Sequence, residues 1–73
     1  MKLPRVSGKE VVEALVRAGF VIHRTRGGHY ILKHPETSRR VTVPYHRREL
    51  APKTLQSILK QAGISVEKFI ELL

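Results

Sequence analysis

One short stretch, Thr25-Arg26-Gly27-Gly28-His29-Tyr30, decides the fold of this chain. Its two glycines stand between runs rich in β-forming residues, and glycine readily adopts the positive φ angles that a two-residue hairpin turn requires. A turn at Gly27-Gly28 would pair Arg26 with His29 and leave the imidazole exposed at the end of a sheet. The stretch therefore predicts a β-hairpin that holds a histidine among cationic side chains.

The two strands of the hairpin are predicted at Phe20–Thr25 and His29–Lys33. Simple alternation puts one set of side chains on the first face, namely Arg24, Arg26, His29 and Lys33. The second face then carries Val21, His23, Thr25, Tyr30 and Leu32. This assignment depends on the turn length, because a shift of one residue exchanges the faces.

Helices are predicted on both sides of the strands. Ser7 and Glu10 have the spacing of a capping box, and an apolar helical pattern then runs to Ala18, which predicts a helix from about Gly8 to Ala18. Gly19 suits the left-handed position that follows a helix.

The second half of the chain continues the pattern. After a turn at His34–Ser38, a third strand is predicted at Arg39–Val43. Pro52 suits the first turn of a second helix, which ends at Gly63, and Ser65 caps a short third helix. The whole chain, residues 1–73, is expected to form one two-layer α+β domain of order α-β-β-β-α. Its three-stranded antiparallel sheet would carry helices on one face.

Composition limits the compartment and the class of protein. No apolar run approaches the roughly 20 residues of a membrane span, and no signal-peptide core follows the N-terminus. The chain has no cysteine, which removes disulfides and thiolate metal sites. We therefore expect a soluble cytoplasmic protein that does not bind membranes.

The charge predicts a polyanionic partner. The formal net charge is +8 over 73 residues, and the stretch from His23 to Arg48 has a single acid, Glu36. Solubility alone does not require acids to be excluded from the middle of a chain, so a nucleic acid or an acidic protein that mimics one is favoured. The candidate phosphate-binding residues are Arg24, Arg26, Lys33, Arg39, Arg40, Arg47 and Arg48.

His29 is the candidate catalytic residue. Imidazole titrates near neutral pH, so a positioned histidine can transfer a proton next to a bound polyanion. The simpler interpretation is that His29 is an ordinary polar residue that follows an exposed turn and has no chemical role. His23 and His34 are interpreted as ordinary strand and turn residues. The four histidines lack the short paired spacings of a zinc site, so neither a metal nor another cofactor is predicted.

Further segments add to the hairpin motif in a fixed order. They are Ser7-Gly8-Lys9-Glu10 with Leu15, Gly19-Phe20, Gly27-Gly28-His29-Tyr30, Val41-Thr42-Val43-Pro44-Tyr45-His46 and Leu55-Gln56-Ser57-Ile58-Leu59-Lys60-Gln61-Ala62-Gly63. As an ordered set spanning nearly the whole chain, they resemble the HicA (YcfA-like) family of bacterial and archaeal toxin ribonucleases.

The resemblance implies a fold like that of double-stranded-RNA-binding domains. It also implies a catalytic activity. The activity would be that of a metal-independent endoribonuclease (mRNA interferase), the toxin of a type II toxin–antitoxin system. Its substrate would be single-stranded or translated mRNA, and cleavage would inhibit translation. Its partner would be a HicB-like antitoxin that covers the basic face, meaning the face that carries the candidate phosphate-binding residues. The family's catalytic histidine falls on His29. His46, which matches a family position, and Tyr30 are candidate assistants.

Two alternatives stay open at this point. The chain could be a non-catalytic RNA-binding module of the same fold, because such domains bind RNA through shape and phosphates. It could also be a degenerate toxin, because Gly28 stands where the family usually has serine before the histidine. A gain of activity on Gly28→Ser would support the second alternative.

Overall fold

The order of elements follows the predicted one. The structure is a computed structural model that describes residues 3–45 and 48–73. Its elements are α1 (Gly8–Arg17), β1 (Val21–Arg26), β2 (His29–Lys33), β3 (Arg40–Pro44), α2 (Pro52–Ala62) and α3 (Val66–Leu72). The predicted α+β class and antiparallel sheet are confirmed, and several element boundaries differ from the expected ones by one residue.

Local signals in the sequence begin and end the helices. The Ser7 hydroxyl accepts the Glu10 N–H at 3.3 Å, and the Glu10 carboxylate accepts the Ser7 N–H at 3.1 Å, which is the predicted capping box. Gly63 ends α2 with φ of 71°, a left-handed conformation that glycine adopts without steric penalty. No helix in the described ranges has the length and apolar character needed to cross a membrane.

The hairpin has the predicted turn and register. Gly27 and Gly28 have φ angles of 53° and 81°, so both central residues of the turn are left-handed. Arg26 pairs with His29, and β2 pairs in turn with β3, where His29 lies opposite Pro44. The strand order is β1-β2-β3.

One part of the predicted face assignment is wrong, because β1 contains a bulge. An extra residue, His23, lies between the ladder pairs formed by Ile22 and Arg24. A bulge of this kind interrupts the alternation of side chains. Val21 therefore lies opposite Lys33, on the face opposite to the predicted one.

The helices cover one face of the sheet and leave the other open. Leu32, Val41 and Val43 turn toward the helices and have no exposed surface. In α3, Phe69 is fully buried, whereas Ile70 is 41% exposed, so one face of this short helix packs into the core. The remaining buried side chains are Val6, Val11, Val12, Ala14, Leu15, Phe20, Leu55, Ile58, Leu59 and Ala62.

His34 organises the turn between β2 and β3. Its Nδ1 accepts the backbone N–H groups of Glu36 at 3.2 Å and Thr37 at 3.3 Å. Its ring meets Phe20 edge to face, with centroids 5.0 Å apart. His34 is thus a turn residue, as the sequence indicates.

We expect His34→Ala to lower the free energy of unfolding by about 1–2 kcal/mol, because it removes two hydrogen bonds and an aromatic contact. Denaturant titration measures this difference. His23→Ala, at the exposed bulge, is the matched control and should stay within about 0.5 kcal/mol of the parent protein. Equal losses in both variants would contradict the role given to His34.

Candidate active site and basic face

The hairpin turn positions His29. The Gly28 carbonyl accepts the Tyr45 N–H at 2.8 Å, which ties the turn to the end of β3. The Nδ1 atom of His29 lies 3.3 Å from the Gly27 carbonyl oxygen. A carbonyl only accepts, so Nδ1 carries the hydrogen in this contact and Nε2 of the neutral ring keeps its lone pair. This contact favours the tautomer of the exposed imidazole in which Nε2 can accept a proton.

An open groove of about 380 Å³ lies beside His29, between β3 and α2. This volume is near the lower end of the roughly 300–1,000 Å³ typical of small-molecule sites. The groove is lined by His29, Thr42, Pro44, Lys53, Thr54, Ser57, Ile58 and Gln61. His29 thus faces a space whose opposite wall is supplied by α2.

The side-chain amide of Gln61 links α2 to β3 within this groove. Gln61 Oε1 accepts the backbone N–H of Thr42 at 3.3 Å, and Gln61 Nε2 donates to Ser57 Oγ at 3.2 Å. The outer edge of β3 is therefore tied to α2 by a side chain, and polar groups of both elements lie on one surface.

Four of the predicted phosphate-binding residues share the open face of the sheet with His29. The ladder pairs and the alternation of β1, β2 and β3 put Arg24, Arg26, Lys33 and Arg40 there, all exposed. Among the described residues, the only side-chain ion pair joins Lys68 Nζ and Glu71 Oε2 at 3.9 Å. The four cations thus have no carboxylate partner in that part of the chain, and their field favours an approaching polyanion.

The other candidates have different positions. Arg39 Nη1 donates to the Gln61 carbonyl at 3.3 Å, so its guanidinium lies at the C-terminal end of α2. Cations are favoured there because the helix dipole is negative at that end. Arg48 is exposed outside the strands. His46 and Arg47 lie outside the described residues.

Tyr30 lies on the other side of the sheet from His29. The two are neighbours in β2, so their side chains point to opposite faces. The Tyr30 ring contacts that of Tyr45, with centroids 4.2 Å apart, and packs against the core. The structure does not bring this candidate assistant to the imidazole.

The sequence did not predict that residues of α2 line the groove beside His29. The candidate residues stop at Arg48, whereas Lys53, Ser57 and Gln61 line the groove. These three residues recur every four positions and therefore share one face of a helix, which is the signal that could have grouped them. No three His, Asp or Glu side chains in the described ranges converge as metal ligands.

Residues 8–64 match the family model described as the HicA toxin of bacterial toxin–antitoxin systems. A comparison with curated proteins found no match. The matched segment contains α1, the whole sheet and α2, and therefore both walls of the groove. Because it covers more than three quarters of the 73 residues, the chain belongs to the family of HicA toxins of bacterial toxin–antitoxin systems.

Proposed function

We propose that this protein is a metal-independent endoribonuclease, an mRNA interferase that cleaves single-stranded or translated mRNA and so inhibits translation. The observation that carries the proposal is the arrangement around His29. Its imidazole is exposed, hydrogen-bonded through Nδ1, adjacent to a groove and on the same face as four exposed cations that have no carboxylate partner among residues 3–45 and 48–73. Membership in a toxin family supports the toxic effect of such a reaction.

The proposed chemistry uses the nucleophile that RNA carries. His29 Nε2 takes the proton of a 2′-hydroxyl, and the 2′-oxygen forms a bond to the adjacent phosphorus. The bond from phosphorus to the 5′-oxygen breaks, and that oxygen takes a proton from water. The products are a 2′,3′-cyclic phosphate and a 5′-hydroxyl. Cations on the same face stabilise the charge that develops on the phosphoryl oxygens.

The experiment that tests this proposal is cleavage of a long single-stranded RNA in excess chelator, with the chemistry of both ends determined. We expect 2′,3′-cyclic phosphate and 5′-hydroxyl ends. A substrate with one 2′-deoxynucleotide at a mapped site should lose cleavage at that site alone. Retained RNA binding without any cleavage would instead favour the RNA-binding module or the degenerate toxin, and Gly28→Ser would then separate these two.

Lys53 adds a cation on the groove wall formed by α2. Loss of a hydrogen bond to a charged group is worth about 1.5–3 kcal/mol, so we expect Lys53→Ala to lower kcat/KM for RNA cleavage by roughly 10- to 100-fold. Lys60→Ala is the matched control, because Lys60 is exposed on the same helix and does not line the groove. Similar kcat/KM values for the two variants would contradict this role.

Binding to RNA should depend strongly on salt. If the basic face contacts about five phosphates, the logarithm of the association constant should fall against the logarithm of salt concentration with a slope of roughly −3 to −4. Fluorescence anisotropy with a single-stranded oligonucleotide at several salt concentrations measures the slope. A slope near zero would refute backbone contacts by this face.

The proposed protein partner is an acidic, HicB-like antitoxin. The family belongs to toxin–antitoxin systems, which implies an antitoxin. An acidic surface would be attracted to the exposed cations on the face that also carries His29. Its binding there would inhibit by covering the imidazole and by excluding RNA from the same face.

A further inference from the structure

Ser57 and Gln61 lie one helical turn apart, on the face of α2 that forms the groove wall. The orientation of the Gln61 amide follows from its partner. The Thr42 backbone N–H is a donor, so the atom that faces it at 3.3 Å is Oε1. Nε2 then faces Ser57 Oγ at 3.2 Å.

Two donor hydrogens remain after these contacts are counted. Nε2 carries two hydrogens, and one is used by Ser57. The Ser57 oxygen accepts that hydrogen, so its own hydroxyl hydrogen is available to donate. Neither remaining hydrogen has an acceptor within the described residues. The groove therefore presents two adjacent donors, on atoms 3.2 Å apart.

We infer that this groove binds one nucleotide of the RNA and that Ser57 and Gln61 read its base. This inference rests on the proposed function and adds a base-specific subsite to it. Lys53 and Gln61 are separated by about 12 Å along α2. A nucleotide whose phosphate lies near His29 and Lys53 can therefore extend its base toward the donor pair.

Two adjacent donors select bases with two adjacent acceptors. Guanine offers O6 and N7, and cytosine offers O2 and N3. Adenine places its amino group beside N7 or N1, and uracil places N3–H between its two carbonyls, so neither matches. The groove thus favours guanine or cytosine at one nucleotide next to the cleaved bond.

The test uses oligonucleotides that differ only in the base on each side of a mapped cleavage site. For one side, the wild-type protein should cleave guanine or cytosine substrates roughly tenfold faster than adenine or uracil ones. Gln61→Glu keeps an oxygen for the Thr42 N–H but replaces the donor with an acceptor, and should reduce this ratio below about threefold. Gln56→Glu is the control, because it makes the same charge change on α2 outside the groove.

The ratio of cleavage rates, guanine or cytosine substrates over adenine or uracil substrates, separates this inference from a general effect of charge. Added negative charge lowers cleavage of all four substrates alike in both variants, whereas the donor pair affects the ratio. Ser57→Ala, which removes one donor without adding charge, should also reduce the ratio. An absence of preference in the wild type, or an unchanged ratio in both Gln61→Glu and Ser57→Ala, would overturn the inference. If the wild type cleaves no RNA, its binding to oligonucleotides that differ in a single base is measured instead. Tighter binding of guanine or cytosine than of adenine or uracil would then leave the subsite standing while the proposed function fails.

Discussion

Replacement of His29 by alanine is expected to lower the rate of RNA cleavage by about 10²- to 10⁴-fold, the range of general acid–base catalysis. The fold should persist. The imidazole is exposed and, within the part of the chain that the structure describes, makes one long hydrogen bond, to the Gly27 carbonyl at 3.3 Å. We therefore expect the free energy of unfolding to change by less than about 1 kcal/mol.

Single-turnover cleavage in excess chelator measures the effect of His29→Ala, and a denaturant titration of the same sample shows that it is folded. His23→Ala is the matched control, because it removes an exposed histidine from the neighbouring strand, outside the groove. Its cleavage rate should stay within about threefold of the wild-type rate. Full activity in folded His29→Ala would refute the catalytic role.

The substitution Gly8→Ala is expected to destabilise the protein by about 3 kcal/mol or more, a large effect for one added methyl group. A Cβ built on Gly8 would lie 3.1 Å from Tyr45 Cα and would overlap the Pro44 carbonyl oxygen. Both are backbone atoms, so no side-chain rotation relieves the contact. Gly8 begins α1, and helix propensity by itself would favour alanine there by up to about 1 kcal/mol.

Thermal and chemical unfolding measure the loss in Gly8→Ala. Lys9→Ala, at the next and exposed position of α1, should be close to neutral. Pro44 lies opposite His29 in the sheet and lines the groove, so any folded Gly8→Ala protein should also cleave RNA more slowly. Wild-type stability of Gly8→Ala would show that the close packing of α1 on the end of β3 is not required.

Family membership and most of the fold could be predicted from the sequence. The ordered motifs resemble the HicA toxins, and the match over residues 8–64 confirms this. Features that depend on neighbours in the chain were predicted well, such as the capping box at Ser7 and the pairing of Arg26 with His29. The bulge at His23 was not predicted, because strand alternation contains no signal for an extra residue.

The site could be predicted only in part. The sequence indicates His29 and a basic face, and Arg24, Arg26, Lys33 and Arg40 do share the face of the imidazole. Arg39 looks equivalent to Arg40 in the sequence, yet its guanidinium contacts the end of α2. The position of α2 relative to the sheet decides this difference, and that position cannot be inferred from the amino-acid composition.

By itself, the sequence determined the helix ends, the Gly27-Gly28 turn and the exposed position of His29. These features depend on φ angles, capping hydrogen bonds and periodicity over a few residues. Only the tertiary structure decided that Lys53, Ser57 and Gln61 form the wall opposite His29 and that Gly8 has no room for a side chain. The physical reason is the packing of the helices on the sheet, which brings together residues more than twenty positions apart.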